Sequence, residues 1–381
     1  MKVSRSAFRR RHNYALAVAS EVARPALKAI ASVASRGGAS DPKDWRRGLI
    51  IGHSHIGDVL YRTCSLNHLS LGLPACKWDF LTSPAAAVVL GNNAALHAVV
   101  PLTAGDDSSS LQRGAFTRLR AARYDVALCT NTVRALPDFV LAAALGIPNR
   151  IGFGDKGYSG LLTWPVGLNH PQPLPAYFRA MVGALLETAP DWPLEPRVFP
   201  RETDEYNALR AFQELPLDPD LPTIACTATT RQLAGAWPAS FFGSVLASAV
   251  ATRPANVVLF GAVSDRPTLL HLAGGIPSPT HVVSGQLDWL AFAEALRRCD
   301  VLLAMDSGPR HLANAVGTPV LFARNLSFSS IEAGRYCANE VDLAPQGAEY
   351  MSRDAIEALV RTISVRDSAA QLVGLMSRRH G

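Results

Sequence analysis

Two strings far apart in the chain each put an acid where an apolar run gives way to a helical pattern. The first is IIGHSHIGDVL at 50–60, with Asp58 near its end. A carboxylate there can serve as general base toward a hydroxyl, or it can simply cap the helix that follows, favoured by the dipole. His53 and His55 stand beside it, and either could contact substrate or be solvated. The second string is LLAMDSGPRHLANAVGTPVLF at 302–322, in which the apolar run stops at Asp306-Ser307-Gly308-Pro309. Pro309 suits a first helical turn, where a missing N–H costs nothing, and Ser307 or Gly308 would be the cap. The free N–H groups of that turn would hold an anion, most simply a phosphate, and Gly308 would let it approach the backbone closely. Asp306 would repel a phosphate, so it either accepts hydrogen bonds from sugar hydroxyls or braces the loop. His311 would face the site from the first turn.

The surrounding pattern says what must position these residues. Short apolar runs alternate with helix-length segments. Strands are expected at Leu49–Gly52, Asp79–Thr82, Ala98–Pro101, Asp125–Cys129 and Arg150–Phe153, with helices near 57–70, 111–122 and 135–146. A proline-rich zone follows, with a helix at 176–188 and a hinge near 190–203. Alternation then resumes, with strands at Thr223–Thr227, Asn256–Gly261, His281–Ser284, Val301–Met305 and Pro319–Ala323. Helices fill the gaps near 238–251, 265–274, 287–298 and 309–316, and two more close the chain at 352–363 and within the last fifteen residues. Such alternation predicts an α/β protein of two doubly wound, parallel-sheet domains facing across a cleft. Ligands in such sheets bind beyond the carboxyl ends of the strands. The expected division is 1–45 leader, 46–195 first domain, 196–350 second domain and 351–381 terminal helices.

Composition narrows the function. The chain has 381 residues, 48% of them hydrophobic and 18% charged, a globular balance. Its formal charge of +6 comes from the first 50 residues, which hold eleven Lys/Arg against three Asp/Glu. The body is therefore slightly acidic and is not a nucleic-acid binder. Residues 14–34 space apolar side chains three or four apart around Arg24 and Lys28, a basic amphipathic helix that either lies on an anionic membrane surface or is a loose tail. The six cysteines are scattered, with no C-x-x-C pair, which fits a reducing compartment and neither a zinc site nor a disulfide scaffold. No G-x-G-x-x-G follows the first strand and no P-loop lysine motif is present, which counts against a dinucleotide oxidoreductase and a P-loop kinase. The single D-x-D, Asp218-Pro219-Asp220, lies in a proline-bracketed turn and reads as surface, so no metal site is expected.

Taken together, the two acidic corners resemble the ADP-heptose–lipopolysaccharide heptosyltransferase family, whose fold is GT-B. The matching pieces are IGDVL at 56–60, Asn131-Thr132-Val133-Arg134, RIGF at 150–153, TATTR at 227–231 with Trp237-Pro238, and SGQLDWLAFAEALRRCDVLLAMDSGPRHLANAVGTPV at 284–320. The resemblance implies inverting, metal-independent sugar transfer from a nucleotide diphosphate, which is a substrate and not a resident cofactor. It implies Asp58 as general base and Thr229, Thr230, Arg231, Asp306, Ser307, Gly308 and His311 around the donor. Asn131 and Arg134 then face an anionic glycan or glycolipid acceptor, with His55 beside it. The expected place is the cytoplasm, at the cytoplasmic face of the inner membrane, with the leader as peripheral contact.

The chain departs from this family at three positions. Gly235 stands where a basic residue usually precedes Trp-Pro and meets the donor phosphates, so Arg231 or Arg324 would have to replace it. Gly52 stands where the first loop often carries Arg or Lys, and Ala323-Arg324-Asn325 replaces a glycine-bearing turn. Two other readings compete with a transferase. One is a catalytically weak relative that binds a nucleotide sugar or glycan as a regulatory module; the other is a nucleotide-sugar epimerase.

Overall fold

The computed structural model of the protein describes residues 40–52, 55–102, 113–132, 135–156, 158–167, 171–230 and 236–376. The chain divides between Pro193 and Leu194 into two compact units. Each unit is built on one six-stranded sheet whose neighbouring strands are all parallel.

In the first unit the strands are β1 (Arg47–Ile51), β2 (Lys77–Thr82), β3 (Ala98–Pro101), β4 (Val126–Cys129), β5 (Asn149–Phe153) and β6 (Trp164–Val166). Helices α1 (Ile56–Gly72), α2 (Arg113–Ala121), α3 (Leu136–Ala144) and α4 (Leu174–Leu185) accompany them. The central strand β4 is buried along its length and β1 from Gly48 on, so Leu49–Ile51 and Val126–Cys129 read as continuous apolar runs without alternation. Strand order is β3-β2-β1-β4-β5-β6. The chain moves outward from β1 through β2 to β3, then returns to β4 on the other flank of β1. Right-handed crossovers therefore put the connections leaving β1 and β4 on opposite faces, and a gap opens beyond the carboxyl ends of this strand pair.

The second unit repeats the plan. Its strands are β7 (Thr223–Thr227), β8 (Asn256–Gly261), β9 (Thr280–Ser284), β10 (Val301–Met305), β11 (Val320–Ala323) and β12 (Glu340–Asp342), in the order β12-β11-β10-β7-β8-β9. Its helices are α5 (Glu202–Gln213), α6 (Ala239–Thr252), α7 (Arg266–Ala273), α8 (Trp289–Arg297), α9 (Gly308–Val316), α10 (Arg353–Val360) and α11 (Val365–Met376). Here the switch point falls between β7 and β10. One core joins Ile224, Val257, Leu303 and Leu321 of the strands to Phe242 and Leu246 of α6 and to Leu372, Leu375 and Met376 of α11. The last helix is thus part of this unit's interior.

The strands β6 and β12 and the helix α5 were not visible in the sequence pattern. β6 and β12 are three-residue strands at sheet edges, and β6 contains Pro165, which an edge strand tolerates because it need not donate on its outer side. α5 is a charged helix just after the proline-rich zone; its start is tied by the Asp204 carboxylate, which accepts the Arg201 N–H at 2.7 Å.

Candidate active site

In the first unit Ile51 lies beside Cys129 in the β1–β4 register, so the segments that follow, Gly52 and Thr130-Asn131, leave the sheet side by side. Asp58 is the third residue of α1, and the capping position belongs to His55, whose side chain makes no capping hydrogen bond. Asp58 is therefore not the cap; it sits half-buried in the first turn at the carboxyl edge of the sheet. His55 is exposed next to it.

Arg62, one turn further along α1, is buried and points back across the switch point. Its guanidinium donates to the carbonyl of Asp58, to the hydroxyl of Thr130, to the Thr130 carbonyl at 3.1 Å and to Oδ1 of Asn131 at 3.0 Å. The Thr130 hydroxyl in turn donates to the Ile51 carbonyl at 2.9 Å, closing the link to β1. The other end of the Asn131 amide donates to the Asp138 carboxylate of α3 at 2.7 Å. Burial pushes the Asp138 carboxyl up to about 7, and the Asn131 hydrogen bond and the Arg62 charge only partly offset this. Burial also lowers Arg62 from its ordinary value, while Asp58 and Asp138 pull it back up. Asn131 is thus already engaged on both sides of its amide.

Gly52 has no room for a side chain. A Cβ there would lie 2.6 Å from the Phe80 ring and 3.6 Å from Cδ of Arg62. The position where the family often carries a basic residue is closed by the Phe80 ring. Neither Arg62 nor Asp138 was singled out from sequence. Their signal is a charged residue on the inward side of an otherwise apolar helix, which becomes meaningful only when its partners are known.

In the second unit Ala304 lies beside Thr227, so the Asp306 corner and the Thr229-Thr230 segment emerge together at the β7–β10 switch point. Ser307 is the N-cap of α9 in extended conformation, Pro309 occupies the first turn, and Gly317 ends the helix at φ +75°, a left-handed geometry natural to glycine. The Ser307 hydroxyl donates to the Met305 carbonyl at 3.3 Å and makes no capping bond, so it does not occupy the N–H groups of the first turn.

Asp306 braces the loop that follows β10. Its Oδ1 accepts from Arg310 at 2.8 Å and its Oδ2 accepts the Asn325 N–H at 3.4 Å. Arg310 has no solvent exposure. It donates to both oxygens of Glu340 at 2.6 and 3.1 Å and to the carbonyls of Ala333 and Gly334, and it stacks 3.5 Å from the centre of the Phe322 ring. Glu340 also accepts from Asn314 and from the N–H groups of Tyr336 and Cys337. One cation serves two acids, and Glu340 holds it in the stronger, two-pronged geometry. Glu340 is accordingly lowered, whereas burial raises Asp306 despite its bond to Arg310.

His311 follows in the first turn of α9 and is buried. Its ring lies against Tyr336, with Nδ1 2.6 Å from the phenol oxygen and Nε2 3.8 Å from Asp306. Burial, followed by the charge of Arg310, lowers it well below the ordinary histidine value, so it is a neutral interior group and supplies no cation.

Arg324 is buried as well. Its guanidinium donates to Asp342 at 2.7 Å and to the carbonyls of Ala348 and Pro345. It is committed internally to these three acceptors. Its carbonyl accepts the Trp237 indole N–H at 3.1 Å, which ties the Trp-Pro pair to the end of β11. Thr229, Thr230, Trp237, Pro238, Asp265, Arg353 and Glu357 line a cavity of about 340 Å³ that does not include the Asp306 corner. Asp218 and Asp220 form a turn in which the first carboxylate accepts the N–H of the second at 3.0 Å, ahead of the amino end of β7 and away from either site. The expectations for residues 1–39, His53, Arg134, Arg231 and Gly235 lie outside the described residues. Among the described residues no helix is long and apolar enough to cross a membrane, and no cluster of three or more His, Cys, Asp or Glu is placed to hold a metal.

Comparison with known proteins agrees with this geometry. Residues 113–322 match the family described as glycosyltransferase family 9 (heptosyltransferase). The fold is that of the Escherichia coli ADP-heptose lipopolysaccharide heptosyltransferase II, at 18% identity and a TM-score of 0.68, covering 88% of this chain and 100% of that one. A Veillonella parvula family 9 glycosyltransferase is similar at 16% identity and a TM-score of 0.72, covering 89% and 98%. The E. coli heptosyltransferase WaaC, solved with ADP-2-deoxy-2-fluoro heptose, is similar at 15% identity and a TM-score of 0.62, covering 86% and 99%. No protein of curated function matches the sequence. With more than half of its length matched, and with two parallel sheets whose switch points carry the two acidic corners, the chain belongs to glycosyltransferase family 9, the heptosyltransferase family.

Proposed function

We propose that the protein transfers a heptosyl group from ADP-heptose to a hydroxyl of a lipopolysaccharide-type acceptor, without metal and with inversion, using Asp58 as general base. The observation that carries this reading is the place of Asp58, uncommitted to capping in the first turn of α1 and tied through its carbonyl to the β1–β4 switch point. As the acceptor oxygen bonds to the anomeric carbon, its proton passes to the Asp58 carboxylate. The bond from that carbon to the diphosphate oxygen breaks, and the nucleoside diphosphate leaves with the electron pair. The first turn of α9 at Gly308 is suited to the charge that grows on the leaving group. Asp306 does not oppose it strongly, because Arg310 and the Asn325 N–H take up its oxygens. An anionic glycolipid acceptor would also suit the basic first 50 residues.

The test is Asp58→Asn. Turnover should fall by about 10²–10⁴-fold, the usual worth of a positioned base, while donor binding measured by calorimetry is unchanged. Retained turnover would remove Asp58 from this role. A second reading, a different nucleotide-sugar donor, is favoured by the internal commitment of Arg324. Calorimetry with ADP-heptose, ADP, UDP-sugars and GDP-sugars separates the two: tighter binding of a UDP- or GDP-sugar would keep the transferase and replace its donor.

A further inference from the structure

We propose that Arg62 is a positioning residue for the transfer, holding the turn that carries Asp58 in register with the Thr130-Asn131 segment. The inference rests on the reading of Asp58 as base.

The first turn of a helix is its least constrained part, because its leading N–H groups lack intrahelical partners. A base placed there must still be held tightly, since a misplacement of about 1 Å can cost about 10²-fold in rate. The usual device would be a capping side chain, and His55 supplies none. Arg62 does the holding from one turn away. Its planar fork reaches four acceptors on two segments at once: the Asp58 carbonyl on α1, and the Thr130 hydroxyl, the Thr130 carbonyl and the Asn131 amide oxygen just beyond β4. Thr130 passes the link to Ile51 at the end of β1, and Asn131 passes it to Asp138 on α3. Both strands of the switch point and the helices that leave them are therefore referenced to one guanidinium. A lysine has a single nitrogen and cannot span these acceptors. A buried charge is an expensive way merely to fill space, where a well-packed apolar side chain is often as stable or more so.

The experiment compares wild type with Arg62→Lys, Arg62→Met and Arg62→Ala, measuring kcat, KM for donor and acceptor, donor affinity and melting temperature. In Arg62→Lys, kcat should fall by about 10–100-fold at a temperature where the protein is folded. Donor KM and donor affinity, set in the other unit, should stay within about twofold of wild type. In Arg62→Ala, added ethylguanidinium should restore turnover at least about tenfold, and methylammonium should not. If the Met and Ala variants do not fold, the Lys variant alone decides. A wild-type kcat in folded Arg62→Lys overturns the proposal, because a purely structural arginine would alter only the folded fraction. The two readings fail separately. Asp58→Asn with full turnover removes the base and this inference with it, whereas an inactive Asp58→Asn beside a fully active Arg62→Lys removes Arg62 alone. A wild-type protein that turns over none of the donors overturns both.

Discussion

Arg310 and Glu340 meet in two side-by-side hydrogen bonds of 2.6 and 3.1 Å, and neither side chain is exposed to solvent. The pair ties the helix that follows the Asp306 corner to the edge strand β12, thirty residues away in sequence. Breaking such a pair from one side leaves a buried charge without its partner, at a cost of about 3–5 kcal/mol. Arg310→Met should therefore lower the denaturant midpoint strongly. Arg310→Met combined with Glu340→Gln should cost clearly less, because the amide can still accept from Asn314 without carrying charge. Equal losses in the single and double variants would show that the charge is not what matters.

Asp138 and His311 impose opposite pH dependences on stability. Asp138 has a folded-state value raised to about 7, above the ordinary carboxyl value. Between about pH 4 and 7 the unfolded chain has released this proton and the folded chain has not, so stability falls as pH rises through that window. His311 has a folded-state value lowered well below the ordinary 6.5. Below about pH 6.5 the unfolded chain binds a proton that the folded chain refuses, so this contribution is lost as pH falls. From about pH 4 to 6.5 the two slopes, each about 1.4 kcal/mol per pH unit at most, oppose each other. Asp138→Asn should make acidification more destabilising than in wild type, and His311→Gln should make it less so. Melting temperatures measured across this range check both signs, and parallel curves for all three proteins would refute them.

Arg324 is a structural cation. Arg324→Met should cost about 1.5–3 kcal/mol, the worth of charged hydrogen bonds left unmade, with donor affinity unchanged by calorimetry. A loss of donor affinity beyond about tenfold, or about 1.4 kcal/mol, would restore Arg324 as a phosphate contact.

Gly52 is kept bare by Phe80. Gly52→Ala would push a methyl to within 2.6 Å of the Phe80 ring. Overpacking of this kind costs about 1–3 kcal/mol. Because Gly52 leaves β1 beside the Thr130-Asn131 segment that Arg62 holds, turnover should fall more than donor affinity does. Unchanged stability and turnover would show that the end of β1 is more compliant than its packing suggests.

Most of the two-sheet architecture was legible from sequence because buried parallel strands write themselves as short apolar runs. Val301–Met305 and Asn256–Gly261 match the expected spans residue for residue. The Asp306 corner was legible for a similar reason: Ser307, Pro309 and Gly317 have local backbone roles that depend on few neighbours. β12 was not legible, since three residues at an edge carry no periodicity. The partner of His311 was not legible either, since its ring lies against Tyr336, a contact across twenty-five residues that no local pattern encodes.

The sequence by itself determined which residues stand at strand ends, because hydrophobic periodicity and turn chemistry act over a few positions. From that alone Asp58 and Asp306 could be named as the residues to watch. Only the tertiary structure decided what holds them. Arg62 and Arg310 are each one turn along a helix from their acid, yet their meaning comes from Thr130, Asn131 and Glu340, which strand order brings near. A buried guanidinium must find acceptors wherever the fold supplies them, and that supply is fixed by packing rather than by sequence distance.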